Sequence, residues 1–166
     1  MKFARREVLQ IGGVAAALGA LGFYSLRPRF GNAAEKETFE VTHTEAEWKK
    51  LLSPNQFEVL RHEATERPFS SPLNEEHRKG VFNCAGCDLP LYSSDTKFES
   101  GTGWPSFWQP LENGVGTQRD VTLGMVRTSV HCRRCGGHLG HVFDDGPKPT
   151  GLRYCMNGLA MKFVPA

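Results

Sequence analysis

The sequence predicts a mainly β domain of the α+β class, in which short N-terminal helices lead into antiparallel sheets. Three observations predict it. Beyond Ser70, short apolar stretches at 80–82, 89–92, 125–130, 141–143 and 159–164 alternate with clusters of Gly, Pro, Asn and Asp, the spacing of short strands joined by turns. Ahead of them, Thr44 and Ser53 each stand three residues before a Glu or Gln, the signature of a helix start. Two C-x-x-C pairs, Cys84/Cys87 and Cys132/Cys135, punctuate the β region. At 166 residues, 39% hydrophobic and 23% charged, the chain has enough apolar side chain for one core and is too short for two ordinary domains. A disordered, collagen-like or coiled-coil chain is excluded.

Residues 1–34 read as an address, leaving 35–166 as the working domain. A short basic start with Arg5-Arg6 precedes Val8 to Leu26, where no residue is charged, and small residues at 31–34 offer a cleavage site. The adjacent arginines resemble the twin-arginine export signal, read by a translocon that moves folded proteins. The domain is therefore expected outside the cytoplasm, in the periplasm. A retained membrane anchor is the competing reading, since residues 8–26 are 19 long, close to the ~20 that span a bilayer. Four glycines weaken it.

Residues 35–41 read as a polar linker or an N-terminal arm. Thr44 caps a short helix with Trp48, Leu51 and Leu52 as its apolar stripe. Ser53 then caps a second, with Pro54 at its first position and Gln56 at its third. Phe57, Leu60 and Ala64 form the buried face of this helix, until Arg67-Pro68 stops it. The net charge of +2 is uneven: residues 1–34 hold five basic groups and one acid, and the remainder holds 15 basic and 17 acidic groups. No basic field for nucleic acid exists in the working domain.

The cysteines carry the first chemistry. Two C-x-x-C turns with 44 residues between them can present four thiolates to one tetrahedral zinc ion. Gly86 and Gly136-Gly137 free the backbone for close approach to sulfur. Two disulfides, or a thiol–disulfide redox pair, are the alternatives. Four thiolates leave no open position, so a zinc held by Cys84, Cys87, Cys132 and Cys135 would be structural.

Cys155 is then left over. A lone cysteine is by default a small buried hydrophobe. Here Arg153, two residues away, shares its face on a strand and can stabilise a thiolate, the reactive form. Asn157 falls on the same side and offers an amide. Trp104 reads either as a core indole or as a wall against a small apolar group. His138 and His141, three apart, are satisfied histidines or acids within a site, and an imidazole suits proton donation near neutral pH. Phe143 closes a pocket wall or belongs to the core. His43, His62, His77 and His131 read as surface or helix residues.

Gly103-Trp104-Pro105-Ser106-Phe107, His138-Leu139-Gly140-His141-Val142-Phe143 and Arg153-Tyr154-Cys155-Met156-Asn157, framed by both C-x-x-C pairs, closely resemble the B-type peptide-methionine sulfoxide reductases. The resemblance runs from about Trp48 to Val164. It implies a tent-like arrangement of antiparallel sheets, a four-cysteine zinc site and reduction of the R epimer of methionine sulfoxide in oxidised proteins. It further implies Cys155 as the nucleophile, with Trp104, His138, His141, Arg153 and Asn157 lining the substrate pocket. His141 is then the acid that protonates the departing oxygen, and Cys155 becomes a sulfenic acid. Many relatives carry a resolving cysteine where this chain has Thr102. That predicts recycling by an external thiol or thioredoxin-like donor; a monomer is the expected working form. A zinc-knuckle binding module is the rival class, favoured only by Arg133-Arg134 between the second pair of ligands.

Overall fold

Residues 38–166 are described by the computed structural model, so the export-signal expectation for 1–34 lies outside the described residues. The first helix, α1 (Glu45–Leu51), starts at a complete capping box: the Thr44 hydroxyl accepts from the Glu47 N–H, and the Glu47 carboxylate accepts from the Thr44 N–H. Ser53 and Gln56 repeat the arrangement for α2 (Pro54–His62). Trp48 and Leu52 are buried, but Leu51 is 60% exposed, which corrects the expected stripe. The second helix also ends earlier than expected. Glu63 turns left-handed (φ 57°) at its C-terminus, well before Arg67-Pro68, and Val59 joins Phe57 and Leu60 on the buried face.

Two antiparallel sheets follow. One has the order β2-β1-β9, from β1 (Gly80–Cys84), β2 (Pro90–Ser93) and β9 (Met161–Pro165). The other contains β3 (Lys97–Phe98), β4 (Ser106–Phe107), β5 (Val115–Asp120), β6 (Arg127–Cys132), β7 (His138–Phe143) and β8 (Arg153–Met156) in the order β3-β4-β8-β7-β6-β5. Aromatic side chains join the sheets. Tyr92 of β2 stacks on Phe107 of β4 at 4.3 Å between ring centroids, and Phe82 of β1 meets the same ring edge-on at 4.9 Å. All three are fully buried, each contributing about 1.5–3 kcal/mol of burial free energy. The Tyr92 hydroxyl finds its partner in the Met156 sulfur at 3.1 Å.

Some strand expectations shift. The stretch at 125–130 begins only at Arg127, leaving Met125 and Val126 exposed. The stretch at 159–164 divides into a 3₁₀ turn, Gly158–Ala160, and β9. Strand β5 was not legible at all, because Thr117-Gln118-Arg119 is a polar edge with one neighbour.

The segment before α1 is a docked arm. The Val41 N–H donates to the Arg134 carbonyl at 3.0 Å, and the Phe39 ring packs edge-on to His131 at 5.7 Å. His131, expected at the surface, is 4% exposed on β6. Its register partner is Gly116, where a Cβ would lie 2.4 Å from the imidazole, so the glycine makes room for the ring. No helix among the described residues is long and apolar enough to cross a membrane.

Candidate active site and metal centre

Cys84 and Cys87 lie at the end of β1 and in the turn after it; Cys132 and Cys135 occupy the corresponding places after β6. The four sulfur atoms all fall within 4.8 Å of one another. Contacts of 3.7 Å for Cys84–Cys135 and 3.5 Å for Cys87–Cys132 join the two pairs. All four thiols are free, where the disulfide alternative needs sulfurs about 2.05 Å apart. Four sulfurs about 2.3 Å from one ion stand about 3.8 Å apart along the edges of a tetrahedron, so the cluster fits a tetrahedral metal ion. Crowding splits the thiols: neighbouring S–H donors, Cys132 first, pull Cys87 down, and the pairing with Cys132 pushes Cys84 up. Arg134 is not a free knuckle tip, since it donates to the Cys87 carbonyl at 3.0 Å and ties one turn to the other.

Sheet register assembles the second site. Cys155 on β8 stands opposite His141 on β7, and Arg153 stands opposite Phe143. Alternate residues of a strand share a face, so these four side chains form a block on one side of the sheet. The two strands come together because position 140 is glycine. A Cβ there would lie 2.1 Å from the Cys155 carbonyl oxygen.

A cleft of about 150 Å³ opens over this block, lined by Cys155, His141, Phe143, Trp104 and Asn157 together with Thr65 and Arg127. The Trp104 indole N–H donates to the Glu66 carbonyl at 3.1 Å, which fixes the ring as a wall. Asn157 sits just past the end of β8, 3% exposed. Its amide is already engaged: Oδ1 accepts from the Glu66 N–H at 3.0 Å and Nδ2 donates to the Leu139 carbonyl at 3.1 Å.

His141 is held from behind. Its Nε2 lies 2.8 Å from Asp120 Oδ2, which also accepts from Arg127 at 2.6 Å, while Oδ1 accepts from the Thr122 hydroxyl and N–H. The Thr122 donors, with His141 and Arg127, hold the Asp120 carboxyl far below the usual carboxylate range. Asp120 is thus a fixed anion that orients the imidazole. On the reading of His141 as an acid, Asp120→Asn is expected to lower kcat about 10-fold or more, with metal content unchanged. Steady-state kinetics and metal analysis check it, and a kcat within twofold of the parent would remove the orienting role.

His138 and Arg153 stand apart from the cleft lining. His138 is 4% exposed, bonded through Nδ1 to the Ser129 hydroxyl at 3.1 Å, with its ring 5.4 Å from that of His141. Burial, with the neighbouring His141, pushes it down to about 4. It is a neutral ring at physiological pH and packs behind the site. Arg153 forks onto Asp145 with two bonds of 2.8 Å and lies over the Phe143 ring at 4.4 Å. Asp145 first, and Cys155 in smaller part, raise its guanidinium further.

Thr102 occupies the ground beside the sulfur. Its hydroxyl is 3.8 Å from Cys155 Sγ and 2.8 Å from Ser100, which continues to Ser106 at 2.7 Å. The metal-ligand thiols are remote. Cys132 lies three residues along β6 from Ser129, itself two strands from Cys155, which places it about 10 Å or more away.

One thiol lines a small cleft while four others are spaced to hold a metal ion, a division that fits a thiol-dependent enzyme on a metal-binding β scaffold. The SelR domain family matches residues 52–165, and the chain belongs to that family. The peptide methionine sulfoxide reductase MsrB of Agrobacterium fabrum is 54% identical over 127 residues, covering 76% of this chain and 94% of the relative. The protein of the same name from Bradyrhizobium diazoefficiens is 56% identical over 127 residues, covering 76% and 91%. That from Leptospira interrogans is 52% identical over 126 residues, covering 75% and 96%.

Proposed function

We propose that this chain is a peptide methionine (R)-S-oxide reductase that uses Cys155 as its nucleophile. The observation that carries this reading is the placement of the Cys155 thiol opposite His141, in a cleft of side-chain size walled by Trp104 and Phe143. The substrate is a polar S=O flanked by a methyl and a methylene. Trp104 and Phe143 pack the apolar groups, and the Asn157 edge and His141 face the polar one. The Cys155 thiolate attacks the sulfoxide sulfur while His141 gives a proton to the oxygen. The oxygen passes to the Cys155 sulfur and methionine leaves. The substrate gains two electrons and Cys155 ends as a sulfenic acid.

Thr102 beside the sulfur supports a one-cysteine cycle. An external thiol condenses with the sulfenic acid, releasing water and leaving a mixed disulfide, and a second thiol of the donor frees Cys155. The tetrahedral spacing of Cys84, Cys87, Cys132 and Cys135 supports a structural Zn²⁺, which supplies folding free energy and no chemical step. The basic, apolar and small-residue succession of 1–34 supports export, with a thioredoxin-like partner outside the cytoplasm as donor. The test is consumption of R- and S-methionine sulfoxide by purified protein with dithiothreitol. The R epimer is expected to be reduced and the S epimer left, and consumption of S alone would overturn the reading.

A further inference from the structure

Glu66 lies between α2 and the first 3₁₀ turn, 8% exposed, and among the described residues no cation pairs with it. It is a costly residue to place there, because a buried carboxylate without a counter-ion needs its lone pairs filled by donors. Its carboxylate accepts two backbone N–H groups, from Gly158 through Oε1 and from Leu159 through Oε2 at 3.2 Å. These are the first donors of the 3₁₀ turn that begins immediately after Asn157. Two donors side by side call for two acceptor oxygens, which a carboxylate has and an amide does not. The main chain of the same residue reaches two residues that line the cleft. Its N–H holds Asn157 Oδ1, and its carbonyl holds the Trp104 indole N–H.

We propose that Glu66 is a positioning residue for the sulfoxide site, fixing the separation of Trp104 and Asn157 and so the size of group accepted on the substrate sulfur. This rests on the reductase reading above and adds the residue that sets its tolerance. The side chain pins the turn carrying Asn157, while the backbone of Glu66 is, among the described residues, the one point bonded to both Trp104 and Asn157. Loosening the carboxylate lets that point move, and the cleft widens without any change at Cys155.

The test compares the full-length protein with Glu66→Gln and Glu66→Asp, using methionine R-sulfoxide and its S-ethyl homologue with dithiothreitol. One methylene in a fitted pocket is worth about 10- to 200-fold in kcat/KM. The parent is expected to prefer the methyl compound on that scale, and Glu66→Gln to shrink the preference at least about fivefold. Zinc content and the rate of Cys155 alkylation by iodoacetamide should stay within twofold. Glu66→Asp keeps two oxygens on a shorter arm, is expected to fall between the two, and carries the measurement should the glutamine variant fail to fold. An unchanged methyl-to-ethyl ratio in the folded variants, whether activity is full or falls equally for both compounds, would overturn the proposal. A parent protein that reduces neither compound would instead overturn the reductase reading itself.

Discussion

Cys155→Ser is expected to remove sulfoxide reduction altogether, a loss of about 10⁴-fold or more on the scale of deleted nucleophiles, while zinc stays near one ion per chain. The two halves of the result come from one division of labour. The sulfur at 155 faces a cleft on the six-stranded sheet, and the four metal-ligand sulfurs form a closed cluster elsewhere. A hydroxyl is close in size to a thiol, so the serine variant should fold and melt like the parent. It has no accessible anion near neutral pH and cannot take the sulfoxide oxygen through sulfur chemistry. In the parent, a single turnover without reductant should leave a trappable sulfenic acid on Cys155. Loss of zinc in Cys155→Ser, or a peptide map joining Cys155 to Cys84, Cys87, Cys132 or Cys135, would show that the roles are wrongly divided.

Cys132→Ser is expected to cost zinc and stability together. Its sulfur is fully buried at the end of β6, in the six-stranded sheet, and Cys84 closes β1 in the other. A metal ion bound by both therefore staples two sheets that otherwise meet through Phe82, Tyr92 and Phe107. Structural zinc contributes about 10–16 kcal/mol in small domains, comparable to the entire stability of an ordinary one. Removing one ligand also leaves three crowded thiols with no ion to share. A fall in melting temperature of at least about 10 °C is expected, with the same fall in the parent after chelation. An unchanged melting curve in the metal-free protein would end the structural role.

Much of this was legible in the residues. Both capping boxes appear where Thr44 and Ser53 place them, since a cap is a local hydrogen-bond pattern. The four-thiol cluster was legible for a similar reason, because metal-ligand spacing is written within each turn. The exposed Leu51 and the early end of α2 were not, as a short apolar stripe says which residues are apolar and not where the core lies. Strand β5 escaped because it is an edge strand paired, among the described residues, with β6 alone, and Thr117, Gln118 and Arg119 at its middle are exposed. With it went Asp120, seven residues from Arg127 across that hairpin. Glu66 had no sequence signal whatever. Its partners, Gly158 and Leu159, are backbone donors more than ninety residues away.

On the proposed one-cysteine cycle, the threonine hydroxyl 3.8 Å from the Cys155 sulfur also sets a kinetic order. Where a second thiol stands at such a place, oxidation is followed by a unimolecular step that seals the sulfur as a disulfide. With Thr102 there, the sulfenic acid has no such exit, and its lifetime is the inverse of the donor concentration times a bimolecular rate constant. Starved of donor, the enzyme waits one rung below irreversible oxidation. Its surviving activity after an oxidative episode becomes a record of how quickly reducing equivalents reached it.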